Sequence, residues 1–150
     1  MGGGMVVDPF GLLSEADELI AAGVPNLWER LGISPAAHMI LPWHRVVERV
    51  RELKPDAIGT TLRGIGPCYE SKASRFGLPL ALLAHPAELR IMLERLHEDL
   101  SPIMAADNSP IPSVDEVVAL LAPVQERVVP RFTNVTHEIV TARRKGLNVL

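Results

Sequence analysis

Gly59-Thr60-Thr61-Leu62-Arg63-Gly64-Ile65-Gly66-Pro67-Cys68-Tyr69-Glu70-Ser71-Lys72-Ala73-Ser74-Arg75 is the stretch of this chain that reads as a site set into scaffold. Two hydroxyls come first, then an arginine among flexible residues. Gly64 and Gly66 admit backbone angles closed to other residues. Pro67 suits the first position of a helix, where its missing N–H costs nothing. Counted from there, Lys72 and Arg75 fall three apart and are expected on one helical face. Thr60, Thr61, Arg63, Lys72 and Arg75 are then expected to converge on one anion, with hydroxyls and cations around a phosphate. The plainer reading is a surface loop with ordinary solvated charges. Spacing by itself leaves both readings open.

Upstream, the pattern alternates. Met5-Val6-Val7 is a short strand candidate, Asp8 can cap a helix, and Pro9 opens it. Leu12, Ala16, Leu19 and Ile20 recur at helical spacing until Gly23. Leu31 to Ser34 is a weak strand, and Met39-Ile40-Leu41 an apolar patch before a helix opened by Pro42. Val46, Val47, Val50 and Leu53 are assigned to its dry face, and Arg45, Glu48, Arg49, Arg51 and Glu52 to its wet face. Lys54-Pro55 stops that helix, and Ala57-Ile58 leads into the loop. Strand, helix, strand, helix, loop favours an α/β arrangement with parallel strands. It also puts the loop after a strand, where such folds bind ligands.

Downstream the character is helical. Leu89, Met92, Leu93, Leu96 and Leu100 form one stripe. Pro102 to Pro112 reads as a turn-rich connection. Ser113-Val114-Asp115-Glu116 is a capping box, and Val114, Val117, Val118, Leu121 and Val128 continue a second stripe that Pro123 is expected to kink or divide. Asn134 can cap a third helix ending at Gly146. Leu147 to Leu150 is a terminal strand candidate. Both ends read as inner strands, so the chain is expected to be a piece of a larger fold.

At 150 residues with 47% hydrophobic content, the chain can bury a core. A net charge of −3 argues against a dedicated nucleic-acid binder, and Trp28 and Trp43 are isolated. The single Cys68 fits a reducing compartment. The apolar run from Leu31 to His44 is too short for a membrane span and is broken by prolines. No secretory leader is read at the start, and the expected compartment is the cytoplasm. The histidines make no metal-ligand spacing, so no metal site is expected. His38 and His44 are expected to cap or to bond within the core. No Gly-x-x-x-x-Gly-Lys-Ser/Thr loop occurs.

The order Thr60-Thr61-x-Arg63-Gly64-Ile65-Gly66-Pro67-x-Tyr69-x-x-Lys72-x-x-Arg75 resembles the signature of the adenylosuccinate synthases, purine-pathway ligases that condense IMP with aspartate using GTP. Gly2-Gly3-Gly4-Met5-Val6-Val7-Asp8-Pro9 is similar to the family's glycine-rich entry to a strand. Ser34 to Pro42 with His44, and Arg144 to Leu150, resemble later strands and helices of the same family. The similarity covers nearly the whole chain but only a middle portion of a family member.

The resemblance implies a helix-rich α/β fragment with a few short parallel strands, from a larger P-loop-like nucleotide-binding fold. Residues 1–150 would form one domain or part of one. Residues 1–77 would be a strand and helix part with the IMP-phosphate loop, and 78–150 a helical part ending in a strand. Thr61 matches the threonine that binds the IMP phosphate in the family. Arg75 matches the arginine that reaches the IMP phosphate held by the partner subunit of a homodimer. Lys72 matches an active-site, catalytic position; its plainer role is a salt bridge with Glu70. Thr60, Arg63 and Gly64 are possible loop contacts. Leu62 departs from the glycine or basic residue often found there and restricts the backbone. In the family, a Gly-Asp-Glu-Gly-Lys-Gly-Lys segment supplies the base and a magnesium ligand, and a Gly-His-Asn segment supplies the acid. Neither occurs in these residues, nor do the parts for aspartate and the guanine ring. General base, metal and phosphate clamp are each indispensable to that chemistry. Magnesium and GTP therefore belong to the full-length family, and this chain by itself is expected to be inactive. The alternative is a non-catalytic IMP-phosphate-binding or dimerisation module.

Overall fold

A computed structural model describes residues 1–148. Strands β1 (Val6–Val7) and β2 (His38–Met39) pair in parallel, Val6 opposite His38 and Val7 opposite Met39. Helix α1 (Pro9–Ala21) crosses between them, which is the connection a parallel pair requires. Asp8 caps α1 by accepting the Phe10 N–H, with Pro9 opening the helix. Gly23, at φ +89°, closes it, and the Val24 N–H reaches back to the Leu19 carbonyl. Of the stripe expected on α1, Ala16 is buried, whereas Leu19 and Ile20 on the last turn are exposed. That turn runs past the edge of the core. The strand expected over 31–34 reduces to one parallel bridge between Ile33 and Phe132.

Helix α2 (Pro42–Glu52) follows β2, α3 (Ile65–Ala73) follows the glycine loop, and α4 (Pro86–Met104), α5 (Val114–Val128) and α6 (Val135–Arg144) complete the chain. The core joins both halves of the sequence. Trp43 of α2 is fully buried, edge-on to His97 of α4 with ring centres 4.9 Å apart, and its indole N–H donates to the Pro112 carbonyl at 2.7 Å. Around it close Leu89, Leu93, Leu96 and Leu100 of α4 and Val117, Leu121, Val124 and Val128 of α5. These repeat at three and four residues, the spacing of one helix face. Truncating a tryptophan so placed costs about 3–5 kcal/mol in comparable cores.

Neither Pro102 nor Pro123 ends its helix. α4 continues through Pro102 to Met104, and α5 continues undivided through Pro123. Each proline forfeits one backbone bond. Buried side chains on the far side, Met104 in one case and Val124 and Val128 in the other, hold the helix across it. Ser113 and Glu116 form the expected capping box. Asn134 caps α6, and Gly146, at φ +73°, closes it with the Leu147 N–H on the Ala142 carbonyl. Leu147 is therefore part of a helix ending, and neither it nor Asn148 is in a strand. Val149 and Leu150, the rest of that expected strand, lie outside the described residues.

Candidate functional site

The loop Gly59–Gly64 joins α2 to α3 and lies on α2. Gly59 and Gly64 hold φ of +81° and +78°, and so does a leucine, Leu62, at +56°. At Gly64 glycine is required for a second reason. A Cβ there would stand 3.0 Å from the Arg45 nitrogen and from the His44 Cβ, so loop and helix touch backbone to backbone. α3 begins at Ile65, two residues earlier than Pro67 predicts, with Gly64 as its cap. Pro67 still falls in the first turn, where its missing N–H has no partner to lose.

Between them the loop exposes Thr61 and Arg63, while Thr60 is half-buried with its hydroxyl oxygen buried and unpartnered among the described residues. Arg63 lines an open cleft of about 470 Å³ with Arg45, Asp8, Glu15 and Tyr69. Arg45 is ion-paired with Asp8 across that cleft. Arg63 is thus the guanidinium in the wall without an ion-pair partner among the described residues. Glu15, also in that wall, has no ion-pair partner among the described residues either, so the lining is balanced in charge and an anion would be met on the Arg63 side, with the Tyr69 ring beside it.

The far end of α3 corrects the expectation of a shared helical face. The helix ends at Ala73, and Arg75 lies beyond it with φ +68°. The Phe76 and Gly77 N–H groups both reach back to the Ser71 carbonyl, closing the helix end in the manner usually made by glycine. Arg75 is exposed there. From Gly64 to Arg75 the helix rise of about 1.5 Å per residue places it roughly 16 Å from the loop. One copy of this chain therefore does not gather Thr60, Thr61, Arg63, Lys72 and Arg75 around a single anion.

Lys72 is engaged elsewhere. Its Nζ donates to the Gly3 and Gly4 carbonyls at 3.2 and 3.1 Å and lies 5.9 Å from the Tyr69 ring centre. Glu70, its expected partner, pairs with Arg51 at 2.7 Å instead. Lys72 staples the glycine turn before β1 to α3. Gly77 supports the same spot, since a Cβ there would meet the Lys72 backbone at 2.8 Å.

Beneath the loop lie two residues of α2. His44 is fully buried; its Nδ1 accepts the Leu41 N–H at 2.9 Å and closes the start of the helix. Burial holds its pKa down at about 4, so the ring is neutral at ordinary pH with its proton on Nε2. This is the capping role expected of it. Glu48, assigned to the wet face, is instead 6% exposed, and its carboxylate accepts the Gly64 N–H at 2.6 Å. Sequence reading missed it because charged residues on helices are usually solvated. The signal was His44, Glu48 and Glu52 at intervals of four, a polar line facing the glycine loop. Cys68 is buried, its thiol pushed up to about 12 by burial and donating to the Met39 carbonyl. It is no nucleophile.

Comparison with known proteins agrees over the full length. The family model described as adenylosuccinate synthetase matches residues 1–150. The adenylosuccinate synthetase of Sorangium cellulosum is 40% identical over 153 residues, covering 100% of this chain and 36% of that protein. That of Neisseria meningitidis serogroup A is 37% identical, covering 100% of this chain and 35% of its own. A solved structure of fully ligated adenylosuccinate synthetase from Plasmodium falciparum superposes with a TM-score of 0.85 at 28% identity, over 99% of this chain and 34% of that one. The chain spans about a third of the length of the relatives it matches.

Proposed function

The chain belongs to the adenylosuccinate synthetase family, and from that premise we propose that its 150 residues supply part of the IMP-phosphate clamp of such a ligase. The observation that carries this reading is the Gly59–Gly64 loop, which exposes Thr61 and sets Arg63, two residues on, in the wall of an open cleft. A phosphate is met there by a hydroxyl and a planar cation, the donors that suit its oxygens. Thr60 and Gly64 shape the loop around it.

Arg75 acts on a second copy. Its exposure and its distance from the loop on the same copy support a phosphate contact made across a homodimer. Lys72 acts by holding the glycine turn against α3 and not by moving a proton, since both of its hydrogen bonds go to backbone carbonyls.

The complete reaction needs more than these residues carry. In it, GTP phosphorylates the 6-oxygen of IMP, and the aspartate amine then displaces that phosphate to form adenylosuccinate, on the way to AMP. Among the described residues, no three His, Cys, Asp or Glu side chains come together in a way that fits magnesium. No phosphate-binding lysine loop fits GTP either, so both groups are assigned to other segments of the ligase. A cytoplasmic setting suits a buried, reduced Cys68, and no described helix is long and apolar enough to cross a membrane.

Two measurements test this. Mixed with IMP, aspartate, GTP and magnesium, the chain is expected to give no adenylosuccinate absorbance; sustained turnover refutes the assignment of chemistry to other segments. In calorimetry the chain is expected to take up IMP, with Arg75→Ala weakening uptake about tenfold or more. Uptake unchanged in Arg75→Ala removes that residue from the clamp.

A further inference from the structure

Both ends of the loop are tied to one side of α2. The Gly64 N–H donates to Glu48 at 2.6 Å, and the Gly59 N–H donates to Glu52 at 3.0 Å. Glu48 and Glu52 are four residues apart, so they stand one above the other on the same helix face. Each holds a glycine in the left-handed region, and those two glycines bracket Thr60 to Arg63. Glu48 is buried yet forms no ion pair among the described residues. A buried carboxylate is retained only where it is satisfied by strong donors. Here the donor is the amide at the loop's end.

We propose that Glu48 and Glu52 are positioning residues that fix the loop Gly59–Gly64 in its anion-binding shape before ligand arrives. This rests on reading that loop as the IMP-phosphate clamp. Two consequences follow from the geometry. The end amides are occupied by protein carboxylates, so a phosphate monoester is met by the side chains of Thr61 and Arg63 and by the amides between. A loop held at both ends also has less freedom to lose when a phosphate binds, which lowers that cost. Glu48, buried, carries most of the effect; Glu52 is more open to water and carries less.

The test uses the 150-residue chain, with amide exchange at Gly59 and Gly64 followed by NMR and IMP affinity measured by calorimetry. Glu48→Ala is expected to speed exchange at Gly64 and weaken IMP binding, each by about tenfold to a hundredfold, the worth of a hydrogen bond to a charged group. Glu48→Gln keeps a carbonyl acceptor and should restore both to within about threefold, by the same comparison of acceptors. Glu52→Ala should act at Gly59 with a smaller effect on IMP. Thermal melting of each variant reads any general loss of stability, which does not separate Gln from Ala in affinity. Unchanged exchange and affinity in Glu48→Ala, or Glu48→Gln as damaging as Glu48→Ala, overturns the proposal. If Glu48→Ala does not fold, Glu48→Gln and Glu52→Ala carry the comparison. If the unaltered chain takes up no IMP, the clamp reading falls, while the exchange at Gly64 and Gly59 still decides whether the carboxylates hold the loop.

Discussion

Acidification from pH 7 to pH 5 is expected to remove about 2 kcal/mol of folding stability through His44 alone. The ring is fully buried and neutral, with its pKa lowered from 6.5 to about 4 by loss of solvent. In the unfolded chain it recovers its ordinary value, so between those two values the unfolded state binds a proton that the folded state refuses. Stability is therefore full above the unfolded pKa and is lost as pH falls toward the folded one. The whole difference is worth about 3 kcal/mol, most of which is spent by pH 5. His38, also lowered by burial, adds a contribution of the same sign. Asp17, Asp107 and Glu116 are lowered by hydrogen bonds from Arg127, Ser109 and the Ser113 amide. Their stability is lost as pH falls from the ordinary carboxylate values of 3.8 and 4.5 toward the lowered ones, so the interval from pH 7 to 5 reports mainly the histidines. Urea unfolding at pH 7, 6 and 5, followed by circular dichroism, gives the slope. His44→Asn keeps a carbonyl acceptor within reach of the Leu41 N–H and cannot titrate, so most of the slope should vanish in it, and His38→Asn should remove the remainder. Unfolding free energy that is flat from pH 7 to 5 in the unaltered chain, or an undiminished slope in His44→Asn, refutes the reasoning.

Gly77→Ala should destabilise by about 1–3 kcal/mol, the usual result of overpacking against atoms that cannot move. Its new methyl would lie 2.8 Å from the Lys72 Cα and nitrogen, both backbone. A lower urea midpoint at constant slope checks this, and an unchanged midpoint contradicts it. Leu62→Gly acts in the opposite sense. A leucine at φ +56° carries about 1–2 kcal/mol of strain, of which glycine gives back part through its freer unfolded state. The variant should therefore melt higher by up to about 1 kcal/mol of stability, and a lower melting temperature would mean that the leucine side chain holds the loop by packing.

Much of the scaffold is legible in the sequence because it rests on local rules. Asp8 and Pro9, Ser113 and Glu116, and Asn134 announce helix starts through donors that only short oxygen-bearing side chains satisfy. The α4 and α5 stripes follow from the helical period. Of the two glycines expected to need special backbone, Gly64 does, whereas Gly66 lies within α3 and the second left-handed glycine is Gly59. What escaped depends on where elements meet in space. Glu48 is buried only because the glycine loop returns onto α2, sixteen positions later in the chain. Lys72 finds Gly3 and Gly4 only because the start of the chain runs beside α3. Arg75 left the helical face because the helix stopped two residues before it, and no proline or glycine marks that stop. Leu53 was placed on the dry face of α2 but is 76% exposed, because the core ends with the helix.

Among the described residues, the non-glycine positions in left-handed backbone are Asn26, Leu62 and Arg75. Asparagine tolerates that region through its short polar side chain. Leucine and arginine do not, and both fall within the one stretch that reads as a site. Nothing in packing asks for a leucine at position 62, which is 43% exposed, and glycine would close the helix at position 75 at lower cost. Backbone strain of this kind persists where surrounding contacts over-determine the conformation. At the loop those contacts are the glycine amides on Glu48 and Glu52; at the helix end they are the Phe76 and Gly77 amides on Ser71. In both places the result is an outward-facing polar side chain: Thr61 and Arg63 beside the first strained residue, Arg75 as the second. A helix ending at this position needs a left-handed residue but not a guanidinium. On the proposed reading of Arg75 as a phosphate contact across a homodimer, the guanidinium is what that phosphate requires, and the strain at Arg75 is the cost of placing it there.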